Sequence, residues 1–277
     1  MTIAGALAAS APATPAPPAP PAMTQQEQAL LQTAIDRGVL LYMYDQAAWH
    51  GTDDMREKMK DRLGEVGGWI VEGPAAAPHL LFLDHDEADP HAVYTADFKG
   101  KELAASHVLG PSDDRSLTGP ERAMAAALRT GRKAAEDAHT GYCVAKPFNT
   151  VVLPATTGSP IRVYLLTPQT KTDALPFAGH YLVEVGEDGR AGPVQRFTKS
   201  DCAEIPLNEP NGKKSSALMV TDLLHPVPTE IHVFSSLSGQ IPVYVLTTVN
   251  KHLWAVEGSR VRLVQADVSK EKAAPAK

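Results

Sequence analysis

Apolar side chains recur at two spacings along this chain. In parts of the first half they return every three to four residues, and through most of the second half every second residue, the periods of helices and strands. Thr24-Gln25-Gln26-Glu27 reads as a capping box at a helix start. Leu30, Leu31, Ala34 and Ile35 follow at helical spacing, and Gly38 fits the left-handed stop position. The run 39–44 (VLLYMY) is then expected to be a strand buried on both faces. A second helix is expected from Thr52 as N-cap, through Met55, Met59 and Leu63, to a stop at Gly64. Asp53 and Asp54 at its start and Lys60 and Arg62 at its end match the helix dipole. Strands are expected over 68–72, 79–83, 92–98 and 102–109, forming an antiparallel meander with Lys99-Gly100-Lys101 as one turn. A second capping box, Thr118-Gly119-Pro120-Glu121, opens a long helix through Met124, Ala127, Leu128 and Gly131.

After Cys143 the pattern predicts short strands at 150–153, 161–166, 180–185, 193–198, 217–223, 230–234, 241–246, 252–256 and 260–264. Glu187-Asp188-Gly189 is the clearest hairpin turn among them. The expected class is α+β: helices and a small antiparallel meander in the first half, then a β-rich antiparallel sandwich or partial barrel in the second. The division is 1–22 as an unstructured leader, 23–140 as an α+β subdomain, 141–268 as a β-rich subdomain or a continuation of the same domain, and 269–277 as a frayed tail.

Composition narrows the function classes. The chain has 277 residues, with 26 Lys and Arg against 32 Asp and Glu, a formal charge of −6. A nucleic-acid or anionic-membrane binder normally carries a basic excess, so neither partner is expected. A hydrophobic fraction of 43% suffices for a core, and no apolar run approaches the roughly 18 residues of a membrane span. The acidity belongs to the first half: up to Thr140 there are 12 basic and 20 acidic residues, net −8, and beyond it 14 and 12, net +2. Nine Ala and six Pro fill the first 22 positions, and no charged residue precedes Glu27. The short apolar run 3–9, followed by Ala9-Ser10-Ala11 or Ala11-Pro12-Ala13, resembles an export signal and its cleavage site, although the basic segment that should precede it is missing. A periplasmic or secreted protein is expected, with a cytoplasmic protein bearing a loose arm as the alternative. In an exported protein Cys143 and Cys202 are expected to pair, closing a loop worth roughly 4 kcal/mol in the chain-entropy account. In the cytoplasm they would be two unrelated thiols.

Several common chemistries leave signatures that this chain lacks, among them GxSxG, HExxH and GxGxxG. Three constellations remain. Asp84-His85-Asp86-Glu87-Ala88-Asp89-Pro90-His91 packs four carboxylates and two imidazoles between two expected strands, a density that leaves a divalent metal open as cofactor. The plainer reading is a solvated turn, since Asp and Pro are turn residues. Glu230 and His232 would share one face of a strand, and with His180 they could orient a general base or hold part of a metal site. The plainer reading there is the polar face of a sheet. Tyr42, Tyr44, Asp45, Trp49, His50 and Asp53 gather at the expected junction of first strand and second helix, where an aromatic and acidic mixture could line a pocket. The plainer reading makes Trp49 a core plug and Asp53 a helix-start carboxylate.

The segments 147–152 (PFNTVV), 164–169 (YLLTPQ), 179–181 (GHY) and 229–234 (TEIHVF) resemble stretches of a family of exported bacterial proteins that has no assigned function. That resemblance implies export and paired cysteines, and carries over no catalytic residue. The reading that follows is an exported module binding a small ligand or a protein partner, with a hydrolase or metal-assisted enzyme built on Glu230, His232 and His180 as the alternative.

Overall fold

The structure is a computed structural model that describes residues 23–270. The leader with its candidate cleavage site, and residues 271–277 of the tail, lie outside the described residues. Val268–Lys270 forms a 3₁₀ turn, anchored by the Val268 amide donating to Lys251 O at 2.9 Å, so Ser269 and Lys270 belong to a described element.

The two expected N-terminal helices and the strand between them are one helix of 34 residues, α1 (Gln25–Lys58). Its capping box is as expected: the Thr24 amide donates to Glu27 Oε2 at 2.8 Å and the Glu27 amide donates back to Thr24 Oγ1 at 3.2 Å. A six-residue apolar run cannot be told from a buried helical segment by period alone, and here Leu41, Tyr42 and Tyr44 are buried as part of α1. Thr52 is no cap; its hydroxyl donates to Ala48 O at 2.6 Å, the back-bond of a mid-helix threonine. Gly38 is no stop either. A Cβ there would stand 2.5 Å from Val233 Cβ and 2.8 Å from Glu230 O, both on α3 (Glu230–Gly239), so the missing side chain is what lets the two helices cross in contact.

The second correction is α3 itself, expected as a strand over 230–234. The alternation of Glu230, Ile231, His232 and Val233 suggested two faces of a sheet, yet all four side chains are buried. The helix starts at Thr229, whose amide donates to His232 Nδ1 at 3.0 Å. His232 thus takes the place that Glu or Gln holds in an ordinary capping box, which hid the motif.

The strands β1 (Gly68–Glu72), β2 (His79–Leu83), β3 (Ala92–Lys99) and β4 (Glu102–Val108) make the expected antiparallel meander in chain order. The helix α2 (Gly119–Asp137) begins at the second capping box. A second sheet is ordered β5 (Asn149–Leu153), β6 (Ile161–Leu166), β8 (Tyr181–Val185), β9 (Gln195–Arg196). Two strands outside the expected set, β7 (Ala174–Pro176) and β10 (Glu204–Pro206), pair as a short antiparallel ribbon. The last sheet is ordered β11 (Leu218–Asp222), β12 (Val243–Thr247), β13 (His252–Glu257), β14 (Arg260–Gln265). There β11 and β12 run parallel with α3 as the crossover, while the other strand pairs are antiparallel. None of the sheets formed by the described residues closes into a barrel.

The apolar clusters draw side chains from both sides of residue 140. One apolar cluster joins Leu41 and Met55 of α1 to Leu80 and Phe98 of the meander, Val151 and Tyr164 of the second sheet, and Ile231 of α3. Another sets Met124 and Leu128 of α2 between Ile70 and Val163. A third packs Leu31 of α1 against Leu175, Val243 and Trp254. Each fully buried aliphatic or aromatic side chain contributes about 1.5–3 kcal/mol, and α1 supplies such side chains to two of the three clusters.

The Gly38 crossing yields a direct test. On helix propensity alone Gly38→Ala should stabilise by up to about 1 kcal/mol, but the overlap with Val233 and Glu230 costs about 1–3 kcal/mol. Urea unfolding should therefore show a net loss for Gly38→Ala and almost none for Gly64→Ala, whose Cβ would meet nothing within 4 Å. A stabilised Gly38→Ala would mean that the helices do not meet as described.

Candidate functional site

One long face of α1 is not covered by the core. Tyr42, Asp45, Gln46, Trp49, Thr52, Asp53 and Arg56 recur along it at intervals of three to four residues and line a cleft of about 730 Å³. The opposite wall is the segment between β6 and β7, with Gln169, Lys171 and Thr172, and the far end of α3, with Phe234, Ser235 and Ser238. Trp69 and Asn149 complete the lining.

Trp49 is 58% exposed, large for an indole. Its ring stacks on that of His50 with centroids 4.8 Å apart and planes at 22°, so one indole face is backed by imidazole. Asp45, one helical turn before Trp49 on α1, is half-buried. Burial pushes its carboxyl up to about 6, against the lowering effect of hydrogen bonds from Asn149, at 3.4 Å, and Gln46. Lys171 is tied to Glu204 in a close ion pair, and Tyr42 accepts from Lys101 Nζ at 3.3 Å. By contrast, the side chains of Asp53, Arg56 and Gln240 make no hydrogen bond or ion pair with another described residue, and the buried Ser238 hydroxyl has no hydrogen-bond partner among the described residues.

Of the junction constellation, then, Tyr42, Asp45, Trp49 and Asp53 do line a cleft. Tyr44 does not: it is fully buried and donates to Gly73 O at 2.7 Å. Gln46, Thr52 and Arg56 were missed because the expected strand broke the helical stripe to which they belong. The wall 167–172 and the two serines of α3 carry no local signal; distant packing brings them there.

Glu230, His232 and His180 occupy a different place. All three are buried, and none lines this cleft. Glu230 sits in the first turn of α3, where Tyr164 Oη donates to its Oε1 at 2.7 Å and Arg37 lies 3.7 Å from the same oxygen. Burial first, then the Glu230 charge, push the Tyr164 phenol well above its ordinary range. His232 carries the α3 cap. Burial lowers it to about 4, with the nearby charges of His225 and His180 adding to the shift and Asp222 opposing it. Asp222 accepts from the Leu224 amide at 2.8 Å and lies 2.9 Å from His225 Nδ1. His180 accepts the Thr167 amide at Nδ1, 3.2 Å, so its Nε2 carries the proton and donates to Pro176 O at 3.1 Å. Burial lowers its pKa to about 4. Because Thr167 and Pro176 both line the cleft, the His180 ring ties the two ends of its wall together from behind.

The acidic loop is a turn that satisfies itself. Asp84 Oδ1 accepts from the Asp86 and His91 amides, Asp86 Oδ1 from the Ala88 and Asp89 amides, and Arg115 lies 3.1 Å from Asp84 Oδ2. Among the described residues no group of three or more His, Cys, Asp or Glu side chains is arranged to hold a metal ion. No described helix is long and apolar enough to cross a membrane. Cys143 and Cys202 are disulfide-bonded, 59 residues apart in sequence. A smaller cleft of about 410 Å³ lies beside the bond, lined by Tyr142, Tyr181 and Arg196 among others. No protein-family model, curated protein or solved structure matches the chain.

The two buried histidines make stability pH-dependent with a definite sign. Both have folded pKa values near 4 against 6.5 for the free side chain. Between those values the unfolded chain takes up protons that the folded one refuses. Their contribution is therefore intact above the unfolded pKa and lost as pH falls toward 4, at on the order of 3 kcal/mol per histidine. Asp45, raised when folded, offsets part of this over the same window. Urea midpoints of the wild type and His180→Gln, measured between about pH 7.5 and about pH 4.5, should converge as the pH falls. Parallel curves would show that His180 is not held neutral.

Proposed function

We propose that this protein is an exported module that binds a small ligand in the cleft along α1 and acts by binding rather than by chemistry of its own. The observation that carries the reading is the cleft itself: a concavity of about 730 Å³ with an exposed indole on its rim. Pockets for small molecules join apolar surface to a few placed polar groups in this way. Trp49 and Trp69 supply the aromatic surface, and Asp53, Arg56, Gln240 and Ser238 supply polar groups that the protein leaves unpaired. Asp53, Arg56 and Gln240 are exposed and committed to no described partner, so a ligand bonding to them takes the place of water. Export is supported by the Cys143–Cys202 bond, since such cross-links persist in oxidising compartments.

The hydrolase reading has less behind it. Both His180 nitrogens, one Glu230 oxygen and one His232 nitrogen are engaged in holding the fold, and none of the three residues lines the cleft.

A thermal-shift screen against a chemically diverse set of soluble metabolites tests the proposal. A ligand at about a hundred times its Kd stabilises by about 2.7 kcal/mol, which for a domain of this size raises Tm by roughly 5–10 °C. Such compounds should exist for the wild type and lose most of their effect in Trp49→Ala. An inert wild type, or hits that act equally on Trp49→Ala, would remove the cleft as the binding site.

A further inference from the structure

The reading of the cleft as a binding site, on which this inference rests, leaves the ligand's chemistry open, and the walls narrow it. The lined stretch of α1 from Tyr42 to Arg56 advances 14 residues, about 21 Å at the helical rise. A site of that length fits several linked rings or an extended chain better than one compact metabolite. Midway along that stretch, on the rim of the cleft, stands the Trp49 indole, half-sandwiched on His50 and otherwise largely exposed. A flat indole face offers a weakly apolar, electron-rich platform, suited to a ring that presents C–H groups.

The polar groups around that platform are of mixed donor and acceptor character. Gln46, Asn149 and Gln240 carry amides, Ser235, Ser238 and Thr172 hydroxyls, and Asp45 a carboxyl. Side chains that both donate and accept match a ligand whose own groups do the same, which is the property of alcohol hydroxyls. The charges point the same way. Asp45, Asp53 and Arg56 share the α1 wall, Lys171 is the cation opposite them, and Lys171 is already held by Glu204. That leaves no cluster of free cations of the kind that phosphate or polycarboxylate ligands require.

We propose that the cleft takes an uncharged, hydroxyl-rich ligand, an oligosaccharide lying along α1 with one sugar ring stacked on the open face of Trp49 and its hydroxyls bonded to the amide, hydroxyl and carboxyl side chains around it. Arg56 and Gln240 then bracket the ligand as polar contacts, and the orphaned Ser238 hydroxyl gains a partner.

The test is a titration of the full chain, by intrinsic tryptophan fluorescence and isothermal calorimetry, with cellotetraose, maltotetraose and tetra-N-acetylchitotetraose. At least one should bind saturably and perturb the emission. Trp49→Ala should weaken it by about tenfold or more and Trp49→Phe by much less, the ring being what is lost. Because Trp49 is exposed, the alanine variant should keep its circular dichroism spectrum and its Tm. If no tetraose binds while peptides or charged metabolites from the screen bind in a Trp49-dependent way, the saccharide assignment fails and the cleft stands. If a tetraose binds Trp49→Ala as tightly as the wild type, the cleft itself is the wrong site.

Discussion

The fold depends on one helix crossing. At Gly38 the backbone of α1 comes against α3 closely enough that a methyl group would overlap Val233, and the contact is sealed by a buried carboxylate. Glu230, at the start of α3, receives Tyr164 from the second sheet and Arg37 from α1. A carboxylate removed from water needs compensation; here it has a phenolic donor, a guanidinium and the positive end of a helix dipole. Three elements from distant parts of the chain are thereby oriented together. Once α1 is fixed by that node, its remaining length sets the position of the meander on one side and one wall of the cleft on the other.

The same node explains where the sequence could be read and where it could not. The two Thr/Glu capping boxes, the meander and the turns at Gly100 and Gly189 are local, and their residues announce them. Glycine at the two turns adopts φ values of +60° and +73° that other residues avoid. The continuity of α1 is not local. Residues 39–44 and Gly38 have the composition of a strand and a stop, and become helix because α3 and the meander cover them. α3 is misleading for a related reason: in its first turn the polar Glu230 and His232 are buried along with Ile231 and Val233, so no solvated face marks the helix and the alternation imitates a strand. The cleft was half legible. Tyr42, Asp45, Trp49 and Asp53 stood out as an aromatic and acidic group, although the junction expected to gather them does not exist. Their companions across the cleft are set by tertiary packing.

The histidines teach a related lesson about chemistry. A carboxylate and two imidazoles at suggestive positions look like a catalytic set, yet the properties that suit histidine to catalysis, two ring nitrogens of opposite role and an easily shifted pKa, also suit it to bridging backbone groups in a dry interior. His180 joins Thr167 to Pro176, and His232 replaces a carboxylate in a helix cap. Kept neutral by burial, neither brings a net charge into the core. Both shape the site indirectly, His180 by holding its wall and His232 by starting the helix that carries Ser235 and Ser238.

The Gly38 contact also governs when the protein can fold. Its two sides, Gly38 and Val233, lie 195 positions apart in the chain. At ordinary elongation rates of about 5–20 residues per second, the N-terminal helix is made roughly 10–40 s before its partner exists. Through that interval Leu31, whose cluster partners Leu175, Val243 and Trp254 all come later, has no native surface to pack against, whereas Leu41 and Tyr44 can already meet the meander. Completion of the core must wait for the C-terminal quarter, so the nascent chain passes through synthesis with the Leu31–Gly38 part of its longest helix uncovered, a stretch that a holding chaperone can bind.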